Sequence, residues 1–179
     1  PAVPVVGQGT WNVALGGGAR DETKASIRAG IELGMVHIDT AEMYGDGGAE
    51  TLVGEAIAGL PRERLFVVSK VLPSNASYAG TIEACHASLR RLKLDYLDCY
   101  LLHWRGSVPL RETMRALEQL VAGGAIRALG VSNFDAGDLQ EAQAALTREK
   151  IACNQVLYHL NERTIEAHES PFAHYRRGG

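Results

Sequence analysis

Four side chains in this sequence have the types that proton transfer to a carbonyl oxygen needs, and each closes or follows an apolar, β-branched run. Asp39 closes the run Met35-Val36-His37-Ile38-Asp39-Thr40, and Tyr44 follows five positions later on the next loop. Lys70 ends Val67-Val68-Ser69-Lys70 and His103 ends Tyr100-Leu101-Leu102-His103. A phenol is a weak acid at neutral pH, but an ammonium beside it stabilises the phenolate and makes it a better donor. Lys70 can supply that charge, Asp39 can hold and aim it, and His103 can hydrogen-bond a substrate oxygen, which together make a proton donor tuned for a carbonyl. Two other roles fit the same residues. Lys70 as a free amine would form a Schiff base with a carbonyl, although a nearby carboxylate such as Asp39 favours the charged ammonium. Asp39 and Lys70 could equally form a buried salt bridge that does no chemistry.

For these groups to meet, the runs that carry them must lie side by side. Apolar, β-branched stretches at residues 3–9, 35–40, 65–70, 97–103, 126–132 and 151–156 read as six strands. Helical patterns separate them. Gly16-Gly17-Gly18 leads into a first helix opened by Asp21 and Glu22, whose charges suit a helix N-terminus. A second helix, over residues 50–60, puts Val53, Ala56, Ile57 and Leu60 on one face. Ile82, Cys85, Leu89 and Leu92 stripe the third. Leu110, Met114, Leu117 and Val121 stripe the fourth, which Gly123-Gly124 stops, and Leu139, Ala142 and Leu146 mark the fifth. Strands joined by helices of this length pair in parallel with right-handed crossovers, so the architecture is α/β, either a doubly wound sheet or a (β/α)8 barrel. In both, sites are built at the C-terminal strand edge. Asp39, Lys70, His103, Ser132-Asn133 and Gln155 stand at that edge on consecutive strands.

Other chemistries are disfavoured. Gly7-Gln8-Gly9 lacks the third glycine of a dinucleotide fingerprint, and nothing matches a phosphate loop. His168-Glu169 has no second histidine at zinc spacing, so no metal site is expected. His37, His86 and His159 read as structural or surface residues. With a net charge of −3 and only Arg176-Arg177 as a basic pair, nucleic acid is not an expected partner. Cys85, Cys99 and Cys153 are odd in number and widely spaced, which suits reduced thiols in a cytoplasmic protein. No apolar run reaches the roughly 18 residues of a membrane helix. The chain starts with Pro1 and shows no secretory signal pattern, so its start is expected to be processed or internal to a longer sequence. Its 179 residues, with no linker or low-complexity segment, read as one domain spanning 1–179.

The stretch Ile38-Asp39-Thr40-Ala41-Glu42-Met43-Tyr44-Gly45 is followed by Val68-Ser69-Lys70 and Leu101-Leu102-His103-Trp104. Gly130-Val131-Ser132-Asn133-Phe134 and Asn154-Gln155-Val156 come next, in the same order as in the aldo-keto reductases, which the chain resembles along nearly its whole length. Gly9-Thr10-Trp11 also suits that family's first strand end. The resemblance implies a (β/α)8 barrel and an NADPH-dependent reduction of aldehydes and ketones to alcohols. It makes Tyr44 the general acid, Lys70 and Asp39 the pair that assists it, and His103 the group that orients the carbonyl. Ser132, Asn133 and Gln155 would hold the nicotinamide carboxamide, whose donors and acceptors they match, with Thr10 and Asp39 also in the cofactor site. Trp11 and Trp104, beside Tyr44 and His103, either wall the substrate pocket or pack as rim aromatics.

The resemblance weakens at two places. Arg105 stands where the family commonly has proline after Trp104. Beyond Arg163 the pattern becomes irregular, and Ser170-Pro171-Phe172 resembles a seventh-strand motif but lies too near Gln155 for a helix and strand between. About six βα units are therefore expected, an incomplete barrel with an open seam that a second copy or further chain would have to cover. A different class of function also fits, a noncatalytic family member that keeps the scaffold to bind a partner.

Overall fold

The computed structural model describes residues 3–13, 15 and 17–163. His168-Glu169, Ser170-Pro171-Phe172 and Arg176-Arg177 lie outside the described residues. Six strands alternate with five α-helices: β1 (Gln8–Gly9), α1 (Gly17–Glu32), β2 (His37–Asp39), α2 (Gly48–Ala56), β3 (Phe66–Val71), α3 (Tyr78–Leu92), β4 (Cys99–Leu102), α4 (Leu110–Ala122), β5 (Leu129–Ser132), α5 (Ala136–Ala144) and β6 (Asn154–Gln155). The first strand is much shorter than expected. Pro4 has no N–H for a ladder, and Val5 and Val6 are exposed, so pairing starts only at Gln8. Helix α1 opens at Gly17, ahead of Asp21 and Glu22, and Asp21 pairs with Lys24 at 2.7 Å instead of opening the helix. Two later helices do have side-chain caps: Ser77 Oγ accepts from Gly80 N at 3.1 Å, and Asp135 Oδ1 from Asp138 N at 2.8 Å.

Every strand pairs in parallel with its successor, in the order β1-β2-β3-β4-β5-β6. A doubly wound sheet would reverse direction after its first strands, whereas this order never reverses, which is the winding of a (β/α)8 barrel. The sheet is curled, because Gln155 on β6 bonds Asp39 on β2 across four intervening strand steps. The result is an incomplete (β/α)8 barrel of six strands. Among the described residues, β1 and β6 form its two edges.

The alternation of side chains divides the strands between two faces. Val67, Val71, Leu102 and Val131 join the helices in one large core with Leu52, Val53, Leu89, Met114 and Leu117. Phe66, Val68, Cys99, Leu101 and Ala128 pack on the opposite, concave face. Burial on both faces is why the strands read as continuous apolar runs rather than alternating ones. At the N-terminal ends of β3 and β4, Asp98 is 2% exposed and accepts from Arg62 Nη2 at 2.6 Å, Arg127 Nη1 at 3.2 Å and Val67 N at 2.8 Å. The two guanidinium groups lie 4.1 Å and 3.9 Å from the centroid of the Tyr96 ring.

Candidate active site

The C-terminal strand edge brings the expected polar groups together. Asp39 ends β2, Lys70 is the penultimate residue of β3, and His103 directly follows β4. Tyr44 is carried by the loop after β2. Its N–H bonds Ala41 O at 3.0 Å, and Gly45, Asp46 and Gly47 then take φ values of 57°, 51° and 83°. This left-handed turn, tolerated because two of its three residues are glycine, returns the chain into α2 with Tyr44 over the sheet edge.

Lys70 is 1% exposed, and its ammonium donates to Asp39 Oδ1 at 2.6 Å, Thr40 O at 3.0 Å and Tyr44 Oη at 3.4 Å. An ammonium has three donors, and all three are committed. No lone pair is left for attack on a carbonyl, which counts against a Schiff base. Because Lys70 donates to Tyr44 Oη, the phenol's own proton is not needed for that contact.

His103 is 7% exposed, with its ring 5.7 Å from that of Tyr44 and 4.8 Å from that of Trp104. Burial, and then the charge of Lys70, push its pKa down to about 4, with Asp39 opposing. The imidazole is therefore neutral at pH 7. Its Nδ1 is buried and has no hydrogen-bond partner among the described residues. An orphaned lone pair costs less than an orphaned N–H, so the proton is assigned to Nε2.

Ser132, Asn133 and Gln155 form a continuous polar run on β5 and β6. Ser132 Oγ donates to Gln155 O at 2.9 Å, while Asn133 Nδ2 donates to Ser132 Oγ and to His103 O, both at 3.1 Å. Gln155 Nε2 donates to Asp39 Oδ2 at 2.9 Å, closing the circuit back to Lys70. Thr10 is buried and its hydroxyl donates to Asp39 O at 2.9 Å, so it pins β1 to β2. Trp104 joins the group through His103, whereas Trp11 is 68% exposed and makes no ring contact with Tyr44, His103 or Trp104. His37 is buried enough that desolvation lowers its pKa, and it packs edge-on against Phe66. Among the described residues, no cluster could hold a metal ion.

Sequence reasoning missed several supports of this edge. Glu42 Oε1 accepts from Leu72 N at 2.6 Å and Asn75 Nδ2 at 3.0 Å, fastening the loop after β3 to the Tyr44 loop. Arg105 bonds Asp138 at 2.5 Å and Glu141 at 2.7 Å, tying the loop that carries Trp104 to α5. Glu50, fully buried in the first turn of α2, bonds Ser69 and Arg91. Its spacing to Val53 and Ile57 already placed a charge on the apolar face of α2, and that was the available signal.

The Aldo/keto reductase family model matches residues 5–175. This chain belongs to the aldo/keto reductase family. The methylglyoxal reductase of Escherichia coli strain K12 is 56% identical over 165 residues, covering 92% of this chain and 58% of that protein. The glyoxal reductase of Bacillus subtilis strain 168 is 42% identical over 159 residues, covering 88% of this chain and 55% of that one. This reductase-family chain thus spans a little over half the length of the curated relatives it matches. A crystal structure of an aldo-keto reductase from Klebsiella pneumoniae in complex with NADPH superposes with a TM-score of 0.90 at 52% identity, covering 97% of this chain and 61% of that one. Among the described residues, no helix is long and apolar enough to cross a membrane.

Proposed function

We propose that this chain carries the proton-transfer and nicotinamide-holding part of an NADPH-dependent reductase that converts aldehydes and ketones to alcohols. The observation that carries the reading is the Lys70 ammonium, donating to Tyr44 Oη while Asp39 and Thr40 take its remaining protons. Tyr44 then keeps a proton to give to the substrate oxygen, and the phenolate left behind is stabilised by the adjacent cation. His103, neutral with its proton on Nε2, donates to the same oxygen and fixes the carbonyl before transfer.

The residues present fit the cofactor's carboxamide. Asn133 Nδ2 and Gln155 Nε2 are held by the protein, and among the described residues Asn133 Oδ1 and Gln155 Oε1 are left as acceptors for its amide N–H groups. NADPH, when bound, supplies the hydride that reduces the carbonyl carbon. Trp104 lies against His103 and offers an apolar wall, whereas Trp11 is proposed to line the outer rim. The relatives named for methylglyoxal and glyoxal make short dicarbonyls the first substrates to assay. The reading takes residues 1–179 as one partial-barrel domain working in the cytoplasm, where Cys85, Cys99 and Cys153 stay as thiols. No observation favours a noncatalytic scaffold over this reading.

Tyr44→Phe removes the proton and keeps the ring. It should lower methylglyoxal reduction by about 10²- to 10⁴-fold, the range for a positioned acid, with NADPH binding retained in a fluorescence titration. Undiminished turnover would remove Tyr44 from the acid role.

A further inference from the structure

Behind the groups that face the concave side, a second polar set lies on the helix side of the sheet. Ser69 precedes Lys70 in β3, so its side chain points to the opposite face, where it is fully buried. Its hydroxyl donates to Glu50 Oε1 at 2.5 Å, and Arg91 Nε donates to Glu50 Oε2 at 2.6 Å. Arg91 Nη2 also donates to Ser88 Oγ at 3.3 Å. Arg91 reaches the carboxylate across the backbone of Gly47, where a Cβ would lie 2.5 Å from Arg91 Cδ. Gly47 belongs to the turn that carries Tyr44. Ala49, the residue before Glu50, donates its N–H to Tyr44 O at 3.1 Å.

One carboxylate is thereby fastened to both members of the proton-transfer pair. Through Ser69 it holds the strand of Lys70, and through Arg91 and the first turn of α2 it holds the loop of Tyr44. We infer that Glu50 is a positioning residue that sets the spacing between the Lys70 ammonium and the Tyr44 hydroxyl. The inference rests on the proposed proton transfer from Tyr44. Stability alone does not account for a buried ion pair here, since well-packed apolar residues commonly serve as well or better. Charge-assisted bonds are short and directional, so they fix a distance in a way that apolar contacts do not. A displacement of about 1 Å in a reacting group can cost on the order of 10²-fold in rate.

Asp98 provides the control, because it is also a buried, arginine-paired carboxylate but sits at the other end of the strands. Glu50→Gln and Asp98→Asn are compared at a temperature where both stay folded and bind NADPH. Glu50→Gln is expected to lower kcat for methylglyoxal about tenfold or more with KM within about twofold, while Asp98→Asn leaves both unchanged. Ser69→Ala should lower kcat in the same sense by less. Amide exchange gives a reading without turnover: Ala49 N–H, bonded to Tyr44 O, and Glu42 N–H, bonded to Lys70 O, should exchange faster in Glu50→Gln and not in Asp98→Asn. Equal losses of kcat in the two variants, or a Glu50→Gln protein with unchanged kcat, would overturn the inference. If the unsubstituted chain reduces no carbonyl, the proposed function fails on its own, and unchanged exchange at Ala49 and Glu42 then overturns the positioning role separately.

Discussion

At the N-terminal ends of β3 and β4, Asp98 accepts from two arginines and a backbone amide, and both guanidinium groups stack on Tyr96. At the C-terminal ends, Asp39 accepts from Lys70 and Gln155, but among the described residues His103 Nδ1 is left without a partner. Both ends bury charge on the same strands. They differ in where the gaps lie: at the first both carboxylate oxygens of Asp98 are paired by protein and the open atom is Arg62 Nε, whereas at the second the open atoms belong to the side chains grouped around Lys70 and Tyr44. Taking one partner from a paired buried carboxylate is costly even where the pair itself adds little net stability, while a partly paired cluster keeps donors and acceptors for a ligand. Conserving a barrel's stability at one strand edge while building chemistry at the other is the general division in this architecture.

That contrast can be broken from either side. Asp98→Asn removes the buried carboxylate that accepts from part-exposed Arg62, half-exposed Arg127 and Val67 N, and should lower unfolding free energy by about 3 kcal/mol, read by urea titration, with the rate of carbonyl reduction unchanged in the folded protein. If the rate fell as well, the two ends would not be independent.

Acid should act on the site end. His103 takes up its proton near pH 6.5 when unfolded but only at about 4 when folded, so the unfolded state binds more protons between those values. Stability contributed by the neutral ring is complete above 6.5 and falls as pH drops toward 4, by up to about 3 kcal/mol. His37, whose pKa is also lowered by burial, adds to the slope in the same direction. Urea midpoints at pH 7 and pH 5 measure it, and His103→Gln should make the difference between them smaller. An unaltered difference would assign the acid sensitivity elsewhere. The smallest effect belongs to the stacked ring: Tyr96→Leu should cost about 1 kcal/mol of stability and nothing in turnover, because only cation–π contact is lost.

Much of this division was legible before any coordinates. Asp39, Lys70, His103, Ser132 and Gln155 are each polar residues terminating an apolar run, and a parallel sheet aligns such ends without further information. Tyr44 could be placed because a short loop limits how far it can stray from Asp39. The choice between a doubly wound sheet and a barrel was not legible from pattern. Both give the same alternation of strands and helices, and only the unreversed pairing order separates them. The position of Trp11 was equally hidden, since a side chain on a turn has no periodicity to orient it. Glu50 and Arg105 escaped because their partners are remote in sequence: Arg91 lies on the next helix, and Asp138 beyond the following strand. Long-range pairing of charges leaves no local signature, although an acidic residue on the apolar stripe of α2 pointed to a buried partner.

The most direct measurement of the central claim is a single-turnover reduction of methylglyoxal by NADPH-loaded protein, comparing Lys70→Met with the unsubstituted chain. If the ammonium on Tyr44 Oη makes the phenol a competent donor, the rate should fall by about 10²- to 10⁴-fold while NADPH binding persists. A Lys70→Met protein that reduces the substrate at the original rate would mean that Tyr44 works without its ammonium, and the proton-transfer pair would not be the centre of this site.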